Sequence, residues 1–163
     1  MVILEGLALC LWLLVVCIVG TAKGAVGMVF FYEPDVQERV IQLKLITKEE
    51  IARRAKHAGL ALYLPLLTVI PAAVVYLNGA EGFWECFWQM TGSFLIMGVF
   101  DRLFIDWYWV GHTKAWLIPG TEDLMPYIPK QTVMRKWFLT LFGFPTLAAI
   151  LAGAVQLLGL SAG

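Results

Sequence analysis

The feature that most constrains the fold of this chain is a long apolar run near its start. Residues 6–22 contain no charged side chain, and about 17–25 apolar residues in a helix are enough to cross the hydrocarbon core of a bilayer. Mostly apolar segments recur at residues 58–77, 83–100 and 137–160. Hydrophobic residues make up 60% of the chain, against about half of a soluble domain. The sequence therefore predicts an all-α polytopic membrane protein: one domain, residues 1–163, with four transmembrane helices in a compact bundle.

Local patterns refine the limits of these four spans. The apolar character of the first span resumes after Lys23 as far as Phe31, so an extension of that span to residue 31 stays open. The segment Thr47-Lys48-Glu49-Glu50 fits a capping box and predicts an amphipathic helix that leads into the second span. The third span continues without a helix breaker to residue 110. We expect the first span to be retained, because Glu5 is the only charge before Lys23 and no small-residue cleavage site follows it.

The distribution of basic residues predicts the orientation. All twelve Lys and Arg residues fall within residues 23–57 and 101–136. Short loops that are rich in Lys and Arg stay in the cytoplasm, so both of these connections are predicted to be cytoplasmic and both termini to be outside. In a bacterial cell this places the chain in the inner, or plasma, membrane.

Polar residues at the inner end of the third span form the candidate site. Arg102 and Asp106 are four residues apart, which allows them to form an ion pair on a helix. On an α-helix, Asp101, Tyr108 and His112 return to one stripe. Ionisable groups at membrane depth often mark functional sites. We expect catalytic roles for Asp101, Asp106 and His112, and substrate-binding roles for Arg102, Tyr108, Lys114 and Arg54. The alternative is that the ion pair only anchors the helix at the interface.

The two histidines raise the question of a cofactor. His57 lies at the mouth of the second span, and the second and third spans form a hairpin, so His57 and His112 are placed to approach each other. Two histidines with Asp101 or Asp106 suit a transition metal, and two histidines alone suit a haem iron. The spacing matches no metal motif, so the cofactor stays open between a metal, a haem and none. The three cysteines lack the spacing of zinc or redox motifs.

One family shares this layout. Four spans, outward termini and an Arg-rich first inner loop resemble the membrane-associated eicosanoid and glutathione metabolism family. The loop motif of that family contains an arginine, a histidine and an asparagine, followed by an acid. The segment Arg54-Ala55-Lys56-His57-Ala58-Gly59-Leu60 lacks the asparagine and the acid, so the resemblance does not extend to glutathione chemistry.

Three functions remain open. The first is a small membrane enzyme whose acidic and histidine site at the cytoplasmic interface acts on an amphiphilic or anionic small molecule. The alternatives are a protomer of an oligomeric transporter or channel, and a non-catalytic subunit of a larger complex. Membrane lipids are expected partners, and Gly20, Gly24 and Gly27 allow close packing within the chain or in a homo-oligomer. The net charge is zero, which argues against nucleic-acid binding.

Overall fold

The computed structural model describes residues 1–160, and these residues are almost entirely helical, with no strand among them. The helices are α1 (Val2–Thr21), α2 (Pro34–Gln42), α3 (Lys48–Leu77), α4 (82–110) and α5 (Lys130–Leu157). Short 3₁₀ turns occupy Ala25–Phe31, Lys114–Trp116 and Glu122–Leu124. The all-α class is thus confirmed. The predicted outward position of the C-terminus concerns residues 161–163, which lie outside the described residues.

Three of the helices are long and apolar enough to cross a membrane. These are α1, α3 and α5, and only 22–28% of the most apolar stretch of each is buried within the protein. Their exposed faces carry large apolar side chains such as Leu11, Leu64 and Phe142. Soluble proteins rarely expose such continuous apolar surfaces, so the folded chain favours a membrane location.

Helix α4 is the central helix of the bundle. It packs against α1 along one side and against α5 along another, and Cys86, Met90 and Phe94 are completely buried on it. Gly6 of α1 approaches Ile96 so closely that a Cβ at Gly6 would lie 2.7 Å from the Ile96 side chain. The third predicted span therefore packs between α1 and α5, while a face that includes Trp84 and Trp88 stays exposed. It is less apolar than α1, α3 and α5.

Wide turns interrupt three of the helices. Pro65–Val69 and Ala73–Leu77 in α3, Asp101–Val110 in α4 and Leu139–Gly143 in α5 are π-helical, with each amide bonding to the carbonyl five residues earlier. In α3 the first such turn begins at a proline, which lacks an amide proton to continue the α-helical pattern. The π-helical stretch of α4 contains four of the eight site residues that the sequence singles out: Asp101, Arg102, Asp106 and Tyr108.

The two long connections meet at one end of the bundle, which we call the connection end. The Tyr32 hydroxyl donates to the Trp116 carbonyl at 2.8 Å, and the Tyr32 ring stacks on Tyr127 at 4.6 Å. Burial raises the pKa of the Tyr32 phenol, which keeps it a hydrogen-bond donor. Arg39 of α2 forms an ion pair with Asp123 of the second connection at 3.0 Å. The two basic segments therefore share one end, as the predicted layout requires.

Several local predictions can be compared directly with the helices. Thr47 caps α3, since its hydroxyl accepts from the amide of Glu50 at 3.2 Å. Apart from its two π-helical turns, α3 continues as one helix from residue 48 to residue 77, so the predicted helix does lead into the second span. The apolar residues after Lys23 do not extend the first span. Helix α1 ends at Thr21, and Gly24 adopts φ +97°, a conformation that glycine reaches easily, so the chain turns away there.

Candidate functional site

A cavity of about 320 Å³ lies at the connection end, between α4, the start of α5 and residues 125–128. About eleven water molecules occupy this volume in liquid water. Most of the wall is apolar, and it includes Leu103, Trp107, Val133 and Trp137. Three polar residues complete the lining: Arg102, Asp106 and His112. The cavity thus joins apolar walls to a small polar region, which is typical of a small-molecule site.

An ion cluster forms the polar floor of the cavity. Asp106 forms ion pairs with two basic side chains. Its Oδ2 lies 2.8 Å from Arg102 Nη1, and its Oδ1 lies 2.8 Å from Lys136 Nζ. Arg102 also forms an ion pair with Asp101. The side chains of Arg102 and Asp106 are only 10% and 12% exposed. Two acidic and two basic side chains are gathered here, so the cluster as a whole is electrically neutral.

Two atoms of this cluster keep unused hydrogen-bonding capacity. Among the described residues, neither Arg102 Nε nor Asp106 Oδ2 has a hydrogen-bond partner, and both atoms are buried. The 2.8 Å approach of Arg102 Nη1 to Oδ2 is an ion pair without hydrogen-bond geometry. A buried donor or acceptor without a partner costs about 1–3 kcal/mol. The ion cluster therefore leaves one buried donor and one buried acceptor without a hydrogen bond within the described part of the chain.

His112 lies on the rim of the cavity, just beyond the end of α4. Its Nδ1 is 2.5 Å from the Trp107 carbonyl oxygen, and its ring packs on the Trp107 ring with 4.7 Å between centroids. A carbonyl only accepts, so this contact places a proton on Nδ1. The opposite ring nitrogen, Nε2, then accepts a proton when the ring is neutral, which is the tautomer that a general base requires.

Residues 125–128 form the wall opposite α4, and buried aromatic contacts hold them in place. The Tyr127 hydroxyl lies 2.6 Å from the Thr121 hydroxyl and accepts from the amide of Ile118 at 3.1 Å. Tyr127 and Ile118 are almost completely buried. The wall is therefore fixed by the packing of the second connection against the first, and its position depends on both connections.

The structure brings together only part of the residue set that the sequence predicts. Arg102, Asp106 and His112 line the cavity, and the predicted Arg102–Asp106 pair is present. Asp101 contacts Arg102 from outside the lining. The predicted stripe of Asp101, Tyr108 and His112 assumes α-helical spacing, which the π-helical turn of α4 does not keep. Tyr108 is half exposed and packs near Phe104 instead.

Three other predicted residues lie away from the cavity. Arg54 pairs with Glu50 at 2.6 Å on α3, and Lys114 and His57 are exposed. None of these three is among the described residues that line the cavity. The predicted binding roles of Arg54 and Lys114 therefore find no support in this geometry.

Sequence reasoning missed Lys136, which completes the ion cluster. The sequence shows it only as one of the basic residues that precede the fourth span. Its role depends on the antiparallel packing of α5 against α4, which brings it to Asp106. A lysine beside Trp137 at the start of an apolar run was the one signal available, and such a lysine is usually an interfacial anchor.

A second polar cluster lies at the opposite end, beside the turn that joins α3 to α4. Asn78 donates to Glu5 at 2.6 Å and to Gln89 at 2.7 Å, and the Ser93 hydroxyl donates to Glu5 at 3.0 Å. No part of this cluster was predicted, because it depends on the side-by-side packing of α1 and α4. It gives Gln89 and Ser93 of α4 hydrogen-bond partners within the bundle.

Neither a metal site among the described residues nor a match to a known protein indicates what this cavity does. Within residues 1–160, no three His, Cys, Asp or Glu side chains are close enough together to hold a metal ion, so the predicted set of His57, His112 and an aspartate is not assembled. Comparisons with protein-family models, with curated proteins and with solved structures find no match to this chain. The interpretation of function therefore depends on the geometry of the site alone.

Proposed function

We propose that the chain is an integral membrane protein with four spans, α1, α3, α4 and α5, and with its connection end in the cytoplasm. The length of α4, residues 82–110, exceeds the roughly 20 residues that a bilayer requires. Packing against α1 and α5 buries Thr91 and Ser93 of α4, which accounts for the lower apolarity of this helix. All twelve Lys and Arg residues fall within residues 23–57 and 101–136, the stretches that contain the two long connections, and the positive-inside rule then favours an outward position of both termini.

The function that the site supports best is that of a small membrane enzyme acting on an amphiphilic small molecule. The observation that carries this proposal is the cavity, which joins an ion cluster to apolar walls. In the proposed topology it lies at the depth of the membrane interface. The apolar part of a ligand contacts Trp107, Val133 and Trp137, while its head group contacts Arg102 and Asp106. Exposed apolar side chains at the rim, such as Leu103, let an amphiphile enter from the bilayer.

Within this proposal the polar residues have separate roles. Arg102 and Asp106 position the head group, because each is already held in an ion pair. His112 transfers the proton, since Nδ1 is engaged by Trp107 and Nε2 lies on the opposite edge of the ring. Asp101 and Lys136 are positioning residues that hold Arg102 and Asp106 in place.

The packing of the bundle favours this enzyme over transport through a single chain. Between the two polar clusters, α4 contributes Met90, Phe94 and Met97, which are 0–9% exposed. These side chains fill the interior that a water-filled pathway would occupy. A site at one end of the bundle fits binding and reaction better than passage across the membrane.

The proposal is tested by the binding of twelve-carbon amphiphiles to the protein in lipid nanodiscs. Radiolabelled 1-dodecanol and dodecanoate are titrated, and protein-free nanodiscs measure the partitioning of each probe into lipid. We expect saturable binding of at least one probe, and we expect Val133→Phe, which fills part of the cavity, to weaken it at least tenfold. Met134→Phe is the matched control, because Met134 is the next residue and is 72% exposed. Absence of saturable binding to the parent protein, or an equal loss in both variants, would refute the proposed site.

A further inference from the structure

One face of α3 carries basic side chains near the start of the helix and large apolar side chains beyond them. Residues 48–64 are α-helical, and residues three, four or seven apart share a face of an α-helix. Arg53, Lys56 and His57 therefore lie on one face, which Leu60 and Leu64 continue along the helix. All five side chains are exposed, Leu60 by 57% and Leu64 by 58%. We call these five residues the α3 face.

The basic residues of the α3 face carry an excess of positive charge. Glu50 pairs with Arg54 at 2.6 Å and lies 3.9 Å from Arg53. Within residues 1–160, no carboxylate forms an ion pair with Lys56. Helical spacing places one acid, Glu49, on the same face, one turn before Arg53. Two basic residues and one acid leave a net positive charge, so charge complementarity favours an anionic partner.

The order of residues along the α3 face matches the layers of a bilayer. In the proposed topology the second span begins at about residue 58, directly after the basic residues. Residues 53–57 extend over about 6 Å of helix, and the head-group layer on each side of the hydrocarbon core is about 5–8 Å thick. Leu60 and Leu64 then lie at the level of the acyl chains. A phospholipid has its anionic group and its apolar chains in this same order, whereas a soluble anion has no chain for the apolar part.

We propose that the α3 face binds an anionic phospholipid from the leaflet at the connection end. The phosphate accepts hydrogen bonds from Arg53 and Lys56, which are charge-assisted, and an acyl chain packs along Leu60 and Leu64. The α3 face is separate from the proposed enzyme site, since none of its residues is among the described residues that line the cavity. The lipid site depends on the membrane location of α3 and not on the chemistry of the cavity.

Trp12 of α1 is a natural reporter at the edge of the α3 face. Its indole N–H donates to the Ala61 carbonyl at 2.8 Å, and Trp12 is 42% exposed. Bromine atoms on an acyl chain quench the fluorescence of a tryptophan that they contact. A brominated chain that packs along Leu60 and Leu64 therefore quenches Trp12. Subtraction of the signal of the Trp12→Phe variant isolates Trp12 from the other tryptophans.

The test compares phosphatidylglycerol, which is anionic, with phosphatidylcholine, which has no net charge. The protein is placed in nanodiscs that contain both lipids, and one lipid at a time carries dibrominated chains. The quenching of Trp12 then gives the relative affinity of the α3 face for the two lipids. One basic residue beside an anionic lipid contributes about fivefold in affinity, which corresponds to about 1 kcal/mol. The excess of one positive charge therefore predicts that phosphatidylglycerol binds about fivefold more tightly than phosphatidylcholine.

Charge variants locate the preference on the α3 face. The double variant Arg53→Gln with Lys56→Gln should remove the preference for phosphatidylglycerol. Glu49→Gln removes the acid from this face and should increase the preference by about another fivefold. Lys44→Gln with Lys130→Gln is the matched control, because it also removes two positive charges from exposed residues, and it should leave the preference unchanged.

Three results would overturn the proposed lipid site. The first is equal affinity of the parent protein for the two lipids. The second is a preference that persists in the variant without Arg53 and Lys56. The third is an equal loss in that variant and in the control, which would assign the preference to the overall charge of the protein. None of these results affects the cavity, whose test uses different residues and probes, so failure of the lipid site and failure of the proposed function are distinguishable.

Discussion

Replacement of Arg102 by leucine is expected to destabilise the protein strongly. Arg102 Nη1 lies 2.8 Å from Asp106 Oδ2, and the two side chains are 10% and 12% exposed. The same guanidinium also pairs with Asp101. The variant therefore removes two ion pairs at once and leaves two carboxylates near the floor of the cavity, of which only Asp106 still has a cation, Lys136, at 2.8 Å.

The magnitude follows from the burial of the pair and from the cation that remains. Removal of one partner of a buried ion pair costs about 3–5 kcal/mol, and Lys136 places this case at the lower end, about 3 kcal/mol. For a chain of this length each kcal/mol lowers the Tm by about 2–4 °C, so we expect a decrease of about 6–12 °C. Arg39→Leu breaks the exposed pair with Asp123, whose side chains are 35% and 60% exposed, and should cost about 1 kcal/mol or less.

Thermal unfolding in detergent, followed by tryptophan fluorescence, measures both variants under the same conditions. The double variant Arg102→Leu with Asp101→Leu should recover part of the lost stability, because it removes the carboxylate that Arg102→Leu leaves without a cation and keeps the pair of Asp106 with Lys136. An equal decrease in Tm for Arg102→Leu and Arg39→Leu would show that water screens the cluster as it screens a surface pair. The reasoning that treats the floor of the cavity as a low-dielectric site would then be wrong.

Two further predictions concern topology and packing. Glu38 and Glu81 are both exposed and are each replaced by a single cysteine. A membrane-impermeant maleimide should label position 81 on intact cells and position 38 only after permeabilisation. The reverse pattern would show that the orientation is inverted. The native cysteines are buried and should give little background. Gly98→Ala should lower the free energy of unfolding by about 1–3 kcal/mol, since a Cβ there would lie 2.6 Å from a ring atom of α5. Gly153 has open space around it, so Gly153→Ala should be neutral or should stabilise the protein by up to about 1 kcal/mol. Thermal unfolding of the two variants measures both effects.

The parts of the fold that the sequence predicts well are those set by local patterns. A hydroxyl and an acid at residues 47 and 50 are enough to predict where α3 begins. Asn78-Gly79 predicts the turn before α4, and Gly79 has φ +64° there. The segment after Lys23 is as apolar as a span, yet it forms a 3₁₀ turn whose residues are largely buried. Hydropathy alone does not distinguish a residue buried against protein from one that faces lipid.

In the candidate site, too, the contacts between residues close in sequence could be predicted, and those between residues far apart in sequence could not. The Arg102–Asp106 pair follows from a separation of four residues along one helix, and the structure contains it. Lys136 reaches Asp106 from thirty residues further along the chain, so only the antiparallel packing of α4 and α5 reveals it. The wall containing Tyr127 depends on the contact between two connections. Tertiary packing therefore decides which candidate residues share a cavity, and the spacing of residues along a single sequence does not reveal that packing.

The position of α4 explains why the polar chemistry of this protein is concentrated on one helix. A polar side chain that faces lipid must give up its hydrogen bonds to water, whereas one on a central helix finds partners on its neighbours. Gln89 and Ser93 meet Glu5 and Asn78 at one end of α4, and at the other end Asp106 meets its basic partners on α4 and α5. In the proposed membrane topology, a molecule that approaches from the bilayer would meet apolar side chains on α1, α3 and α5. The cavity, where α5 and the second connection leave space beside the ion cluster, is then the place where we expect such a molecule to reach the polar end of α4.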